Sequence, residues 1–216
     1  LLALRLQERI GLDVVTDGEQ RREGFIFHIA GQWTGIDTET LGLNPHRDRL
    51  CVVQLSRGDG TADVVQVLKD GPRPANLIRL LQDPAVLKLF HFARFDVAVL
   101  LHALGVTAAP VRCTKIAAKL VRTFTDRHGL KDLCKELLGV DLSKQQQSSD
   151  WGADKLSDQQ LAYAASDVFH LHKLKERLDM MLRREGRTEL AEAAFRFLPT
   201  RAALDLGGFE DVDIFA

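Results

Sequence analysis

Trp33-Thr34-Gly35-Ile36-Asp37-Thr38-Glu39-Thr40-Leu41-Gly42-Leu43 reads as an extended segment in which two carboxylates stand two residues apart. On a strand, Asp37 and Glu39 at i and i+2 point to one face, a few ångströms apart. Like charges that close raise each other's pKa unless a cation lies between them. Acidic residues are also common at solvated strand ends, so the pair takes its meaning from the rest of the chain.

The flanking pattern sets the fold class. Leu50-Cys51-Val52-Val53-Gln54-Leu55-Ser56 and Thr61-Ala62-Asp63-Val64-Val65-Gln66-Val67 are β-rich runs joined by Arg57-Gly58-Asp59-Gly60, a hairpin signal. With the first strand, ending near Asp37, they form a meander. Alternation follows: a helix over 75–82, a strand over 86–90, a helix over 95–104, a short strand near Val111, then helices over 115–122 and 129–138. A meander followed by strand–helix–strand predicts an α/β fold, a mixed five-stranded sheet flanked by helices. Ser157, with Gln160 three residues on, starts a long helix predicted to reach about Arg184, where Gly186 stops it. A last helix over 188–198 is predicted to end before Pro199.

Composition bounds the class further. Of 216 residues, 45% are hydrophobic and 27% charged, ordinary for a globular protein, and there is no apolar run of the ~18 residues a membrane span needs. Cys51, Cys113 and Cys134 are odd in number and widely spaced. They read as reduced thiols of a cytoplasmic protein and not as a zinc site. A net charge of −1 argues against coating long nucleic acids. Locally, Arg112, Lys115, Lys119 and Arg122 fall at helical spacing. The row is either a solvated face or a phosphate-binding rim.

Two more carboxylates stand in suggestive places. Asp96 follows Leu89-Phe90-His91-Phe92-Ala93-Arg94-Phe95, where a buried strand opens into a helix, the place α/β proteins put their chemistry. A dipole-favoured aspartate in a first helical turn explains it equally well. Asp167 lies one turn after Tyr163, the only tyrosine of the chain, so phenol and carboxylate share a helix face. Asp37, Glu39, Asp96 and Asp167 make an all-oxygen set that suits Mg²⁺ or Mn²⁺, and four carboxylates suffice for two ions clamping a phosphoryl displacement.

Asp37-x-Glu39, Asp96 within His91-Phe92-Ala93-Arg94-Phe95-Asp96, and Tyr163-Ala164-Ala165-Ser166-Asp167 resemble the three exonuclease motifs of the DEDD superfamily, tyrosine subclass. The run from Lys144 to Trp151 with the Tyr163 motif resembles the ribonuclease D family. Asp37–Gly60, Arg112–Trp151 and Phe195–Ala216 are closer still to the nano-RNase C oligoribonucleases of alphaproteobacteria. The resemblance implies a ribonuclease H-like fold and a 3′–5′ exonuclease yielding nucleoside 5′-monophosphates. It also implies a cytoplasmic homo-oligomer, an octamer, acting on short single-stranded RNA, dinucleotides above all. It assigns Asp37, Glu39 and Asp167 to one metal ion, Asp37 and water-linked Asp96 to a second, and Tyr163 to the attacking water. The histidine subclass has its base where Ala162 stands here.

By the same resemblance Thr38 and Thr40 face the terminal sugar, Leu41 wedges against the terminal bases, and His91, Phe92, Gln147 and Trp151 are further substrate contacts. Trp151 as a core aromatic is an equal reading. Residues 35–216 carry the resemblance, and 33–216 are expected to form one exonuclease domain. Residues 1–32 depart from it: Ile10–Arg22 instead resembles a strand-to-loop segment of methionine synthase-like barrels, so 1–32 is read as an atypical leader. The family carries an apolar residue where Gly35 stands, which bears on how the first strand packs. Rival readings are a broader ribonuclease D-like exonuclease acting on structured RNA or DNA ends, and a silent nucleic-acid-binding module. All five motif residues are present, against the silent reading.

Overall fold

The computed structural model describes residues 12–15, 33–143 and 149–216. Six strands form one sheet: β1 (Leu12–Val15), β2 (Trp33–Thr40), β3 (Leu50–Ser56), β4 (Ala62–Gln66), β5 (Leu87–Phe90) and β6 (Val111–Cys113), in the order β1-β4-β3-β2-β5-β6. From residue 33 onward this is the expected mixed sheet. β2, β3 and β4 are an antiparallel meander, β5 joins β2 in parallel and β6 joins β5 in parallel. The addition is β1, parallel to β4, which comes from the leader and pairs the edge that β4 would otherwise leave open.

The helices are α1 (Ala75–Gln82), α2 (Ala93–Leu104), α3 (Thr114–Val121) and α4 (Leu130–Leu133, continuing in wider turns over Cys134–Leu138). They are followed by α5 (Asp158–Phe169), α6 (Leu171–Arg184) and α7 (Thr188–Leu204, continuing over Asp205–Phe209). Strand alternation feeds two cores. Val53 and Val65 join Leu77, Val97, Leu174 and Phe195 on one face. Val52 and Val64 join Trp151 and, from α5, Leu161, Ala164 and Val168 on the other.

Three boundaries differ from the expected ones. β2 runs through Glu39 to Thr40, so both carboxylates lie on regular strand, with the β2–β3 register shifting only between Glu39 and Thr40. The 157–184 segment is two helices turning at His170. Its apolar spacing continues across the break, but α5 buries Leu161 and Val168 in one core whereas α6 buries Leu174, Leu178 and Leu182 in the other. No straight helix serves both faces. Pro199 lies inside α7, which continues to Leu204 because buried Leu198 and Ala202 anchor both sides of the missing N–H.

Gly35 has a physical reason. A Cβ there would come within 3.2 Å of the Val168 carbonyl oxygen and 3.4 Å of Leu171 Cδ1, where β2 passes the junction of α5 and α6. All three cysteines are buried and unbonded. Among the described residues no helix is long and apolar enough to cross a membrane.

Candidate active site

Asp37 and Glu39 leave β2 toward α5, and Asp167 on α5 comes to meet them: one carboxylate oxygen from each lies within 4.8 Å of the other two. Tyr163, one turn earlier, lines the same cavity of about 320 Å³ together with His91, Phe92 and Lys115. The position of α5 is fixed at its start. Gln160 N–H donates to Ser157 Oγ (3.2 Å), Ser157 N–H donates to Gln160 Oε1 (2.9 Å), and Gln160 Nε2 donates to the Asp150 carbonyl (2.9 Å). The capping box foreseen from sequence thus ties the helix that carries Asp167 to the preceding loop.

Asp96 is buried in the first turn of α2, and its Oδ1 accepts from Thr38 Oγ1 at 2.7 Å. It stands outside the trio of Asp37, Glu39 and Asp167. Thr38, one residue from each strand carboxylate, points to the opposite face. Its hydroxyl holds Asp96. The Thr40 hydroxyl donates to the Gly42 carbonyl and closes the turn after β2.

Burial is the main reason all four carboxylates resist ionisation. It lifts Asp37 well above the usual carboxylate range, with the charges of Asp96, Asp167 and Glu39 adding to the effect. Glu39 is pushed up to about 9 by burial and then by Asp167 and Asp96. Asp96 rises to about 7, burial outweighing the Thr38 hydrogen bond, and Asp167 to about 7, burial outweighing its contact with the Tyr163 phenol. Tyr163 is raised above its ordinary value by burial and by Asp167. Four unbalanced acids with only oxygen donors fit a hard divalent cation, which would restore the charge balance.

One contributor escaped the sequence reading. Gln54 is fully buried opposite Asp37 in the β2–β3 register, and its Nε2 reaches Glu39 Oε1 (3.3 Å) and Asp37 Oδ2 (3.5 Å). Its signal was a lone amide within the apolar run of β3. His91 Nδ1 is 2.9 Å from Thr114 Oγ1, and burial lowers its pKa to about 3, so it is neutral. Phe92 has φ +71°, a left-handed conformation rare for a residue with a Cβ, at the turn from β5 into α2. Leu41 is 53% exposed at the end of β2. Trp151 is 2% exposed and does not line the cavity; its ring lies 6.0 Å from that of Tyr163, so the structure places it in the core behind the phenol. Gln147 lies outside the described residues.

The basic row divides. Arg112 pairs with Glu192 and, at 3.4 Å, with Asp179, and buried Arg122 pairs with Glu136. Lys115 and Lys119 remain on the surface of α3.

Sheet topology and carboxylate cluster together fit the fold and the metal centre of a 3′–5′ exonuclease domain. A family model described as 3′-5′ exonuclease matches residues 14–183, and the chain belongs to that family. Within it, the chain is of the ribonuclease D and NrnC type. It is 39% identical over 169 residues to ribonuclease D of Gluconacetobacter diazotrophicus, covering 78% of this chain and 40% of that one. The chain thus spans about two fifths of the length of the ribonuclease D proteins it matches. The likeness to Brucella melitensis NrnC bound to pGG extends over 96% of this chain and 98% of the other, with 55% identity and a TM-score of 0.89. Escherichia coli RNase D, at 24% identity, a TM-score of 0.77 and coverage of 88% of this chain and 50% of that one, shares the fold.

Proposed function

We propose that this chain hydrolyses short RNA, dinucleotides above all, from the 3′ end to nucleoside 5′-monophosphates, with two Mg²⁺ or Mn²⁺ ions bound. The observation that carries the chemistry is the meeting of Asp37, Glu39 and Asp167 beside Tyr163. Asp37, Glu39 and Asp167 would hold one ion, and Asp37 with Asp96, through water, the second. Bound there, the ions supply Lewis-acid activation of water and neutralise charge on the departing 3′ oxygen.

The chain's own groups prepare that chemistry. Gln54 aligns Asp37 and Glu39 with a shared donor, and Thr38 holds Asp96 by its hydroxyl. With its pKa above the ordinary value, the Tyr163 phenol keeps its proton at neutral pH. It therefore orients the attacking water and is not a free base. Leu41, exposed where β2 ends, wedges against the terminal bases, and neutral His91 and Phe92 wall the carboxylate cavity.

Preference for short substrates is supported by the likeness, over nearly the whole of both chains, to an NrnC bound to pGG. The second reading, a broader exonuclease of longer RNA or DNA ends, is supported by the identity to ribonuclease D. Product analysis on 5′-labelled RNA separates them. With Mg²⁺ or Mn²⁺, a dinucleotide is expected to be cleaved much faster than a seven-mer, and EDTA is expected to stop both; equal rates favour the broader enzyme. We take 33–216 as one exonuclease domain, with 1–32 a leader that adds the edge strand. Unbonded thiols support a cytoplasmic setting. Exposed Leu43, Phe124 and Phe215 support a homo-oligomer, an octamer by resemblance, which light scattering checks.

A further inference from the structure

Leu41, the wedge of the proposed site, stands where the chain leaves β2, and it leans on Gly152. A Cβ at position 152 would come 2.9 Å from Leu41 Cδ2, well inside the contact distance of two carbon atoms. A glycine there is what lets the wedge lie where it does. The main chain of Leu41 is held independently. Its N–H donates to the Arg49 carbonyl at 3.2 Å, and the Thr40 hydroxyl closes the turn onto the Gly42 carbonyl. What the main chain leaves open is the reach of the side chain, and Gly152 bounds it on one side.

Gly152 is itself fastened from several directions. Arg49 Nη2 donates to its carbonyl (3.2 Å), and its N–H donates to Asp150 Oδ1 (3.0 Å). Beside it, the Ala153 carbonyl accepts from Gln66 Nε2 of β4 (2.7 Å). Arg49 Nη1 donates to the carbonyls of Leu50 (3.3 Å) and Val67 (3.0 Å). The forked guanidinium thus joins the start of β3, the chain just past β4 and the turn at Gly152. The Asp150 carbonyl in turn accepts from Gln160 Nε2, the bond that ties down the start of α5. One short turn therefore meets the wedge on one side and, on the other, the helix that carries Tyr163 and Asp167.

We propose that Gly152 and Arg49 are specificity-determining positioning residues: Gly152 is the backstop that sets how far Leu41 reaches toward the bases, and Arg49 holds the backstop in place. This role rests on Leu41 being the wedge of the proposed exonuclease site and adds what fixes its reach. A Cβ at position 152 would also come 3.3 Å from Arg49 Nη2 and from Asp150 Oδ1, but hydrogen bonds to Gly152 itself hold both of those atoms. Leu41 is exposed and ends in a flexible methyl pair, so it is the neighbour that yields. Contact between a methyl and a base depends on dispersion, which weakens within an ångström of misplacement. Neither Gly152 nor Arg49 lines the carboxylate cavity, so a change at either acts on base contact and not on the metal ligands.

A double-mutant cycle on the KM of an RNA dinucleotide, with the full chain and Mn²⁺, tests it. Leu41→Ala is expected to raise KM about tenfold, the scale of one lost base contact. Gly152→Ala is expected to raise KM about threefold or more when Leu41 is present, and by less than about twofold in the Leu41→Ala chain, where no methyl is left to displace. Arg49→Met should follow the same pattern. Any loss of thermal stability it brings appears with either residue at position 41, so the fold and the positioning are read separately. An unchanged KM on Gly152→Ala, or equal rises in the two backgrounds, overturns the backstop. If Leu41→Ala leaves KM unchanged, Leu41 is no wedge, and the positioning role fails while the exonuclease reading stands. An unaltered chain that does not cleave the dinucleotide overturns the proposed substrate instead. The same cycle is then read on the dinucleotide Kd by calorimetry in Ca²⁺: effects of Gly152→Ala that vanish without Leu41 support the backstop, and additive effects or no binding overturn it.

Discussion

Two groups of acids lie close together in this molecule and behave in opposite ways. Asp205, where α7 ends, is half-buried, and burial alone would raise its pKa. Hydrogen bonds from Arg94 and Arg201 more than reverse that and hold it below the usual carboxylate range. Asp96 is buried and Asp37, Glu39 and Asp167 are half-buried, but among the described residues no guanidinium answers them and all four are raised. The contrast crosses one helical turn, since Arg94 and Asp96 are two residues apart in α2. The Arg94 side secures the fold: it ties α2 to the C-terminal turn through Asp205 and the Glu210 carbonyl. The Asp96 side leaves charge unbalanced where a cation can complete it. Acid paired by protein contributes to structure, and acid left unpaired at a cost in stability marks function.

The sharpest way to break the comparison is to remove one unpaired acid. Asp167→Asn is expected to lower kcat by several kcal/mol of lost charge stabilisation, roughly 10³-fold or more. The same change should leave the metal-free fold as stable as before, or more so, because it removes a buried like charge. Steady-state rates and a thermal melt in EDTA check the two halves. Normal turnover would sink the metal assignment. Tyr163→Phe comes next, with an expected loss of ~10²-fold, the scale of a positioned proton-transfer group. An unchanged rate would make the phenol a packing partner of Trp151 and nothing more.

How much of this was legible beforehand follows from the range of each signal. Period-two spacing placed Asp37 and Glu39 on one face, and four-residue spacing placed Tyr163 with Asp167, because both are local geometry. That β2 and α5 bring those pairs together is a long-range fact. It was reachable only through resemblance. The Thr38 hydroxyl bond to Asp96 joins residues 58 apart, so no local spacing announces it. Gln54 was visible as the one amide in an apolar run. The break at His170 was not visible, because apolar spacing runs unbroken through it while the core it faces changes. Nor was Phe92: its left-handed turn has no glycine or asparagine to announce it.

The pH dependence of stability sharpens the contrast further. A raised carboxylate keeps its proton in the folded chain after the unfolded chain has lost it. Stability of the metal-free protein should therefore fall as pH rises from the ordinary carboxylate range through about 7, where Asp96 and Asp167 titrate, to about 9, where Glu39 does. Asp205 has the opposite sign: its contribution is full above the ordinary carboxylate value and is lost only below it, so it is silent in this window. Melts in EDTA between pH 5.5 and 8.5 should show Tm dropping by several degrees, roughly the effect of 1–2 kcal/mol in a domain this size. Mg²⁺ should recover more at pH 8.5 than at 5.5, because binding displaces protons only where protons remain. A flat Tm in EDTA would mean that the acids are not repelling one another.

The smallest expected effect lies on the paired side. Arg94→Met removes one of two guanidinium partners from Asp205 and its bond to the Glu210 carbonyl. Arg94 is 41% exposed, so the pair is partly screened, and Arg201 still compensates the carboxylate. A loss of about 1–2 kcal/mol is expected from chemical denaturation, with a modest fall in kcat. The fall should be under tenfold, because Thr38 still holds Asp96 when the far side of the turn is loosened. A collapse of kcat on the scale of Asp167→Asn, without loss of stability, would show that Arg94 acts on substrate. The division of α2 into a structural and a functional side would then be wrong at its boundary residue.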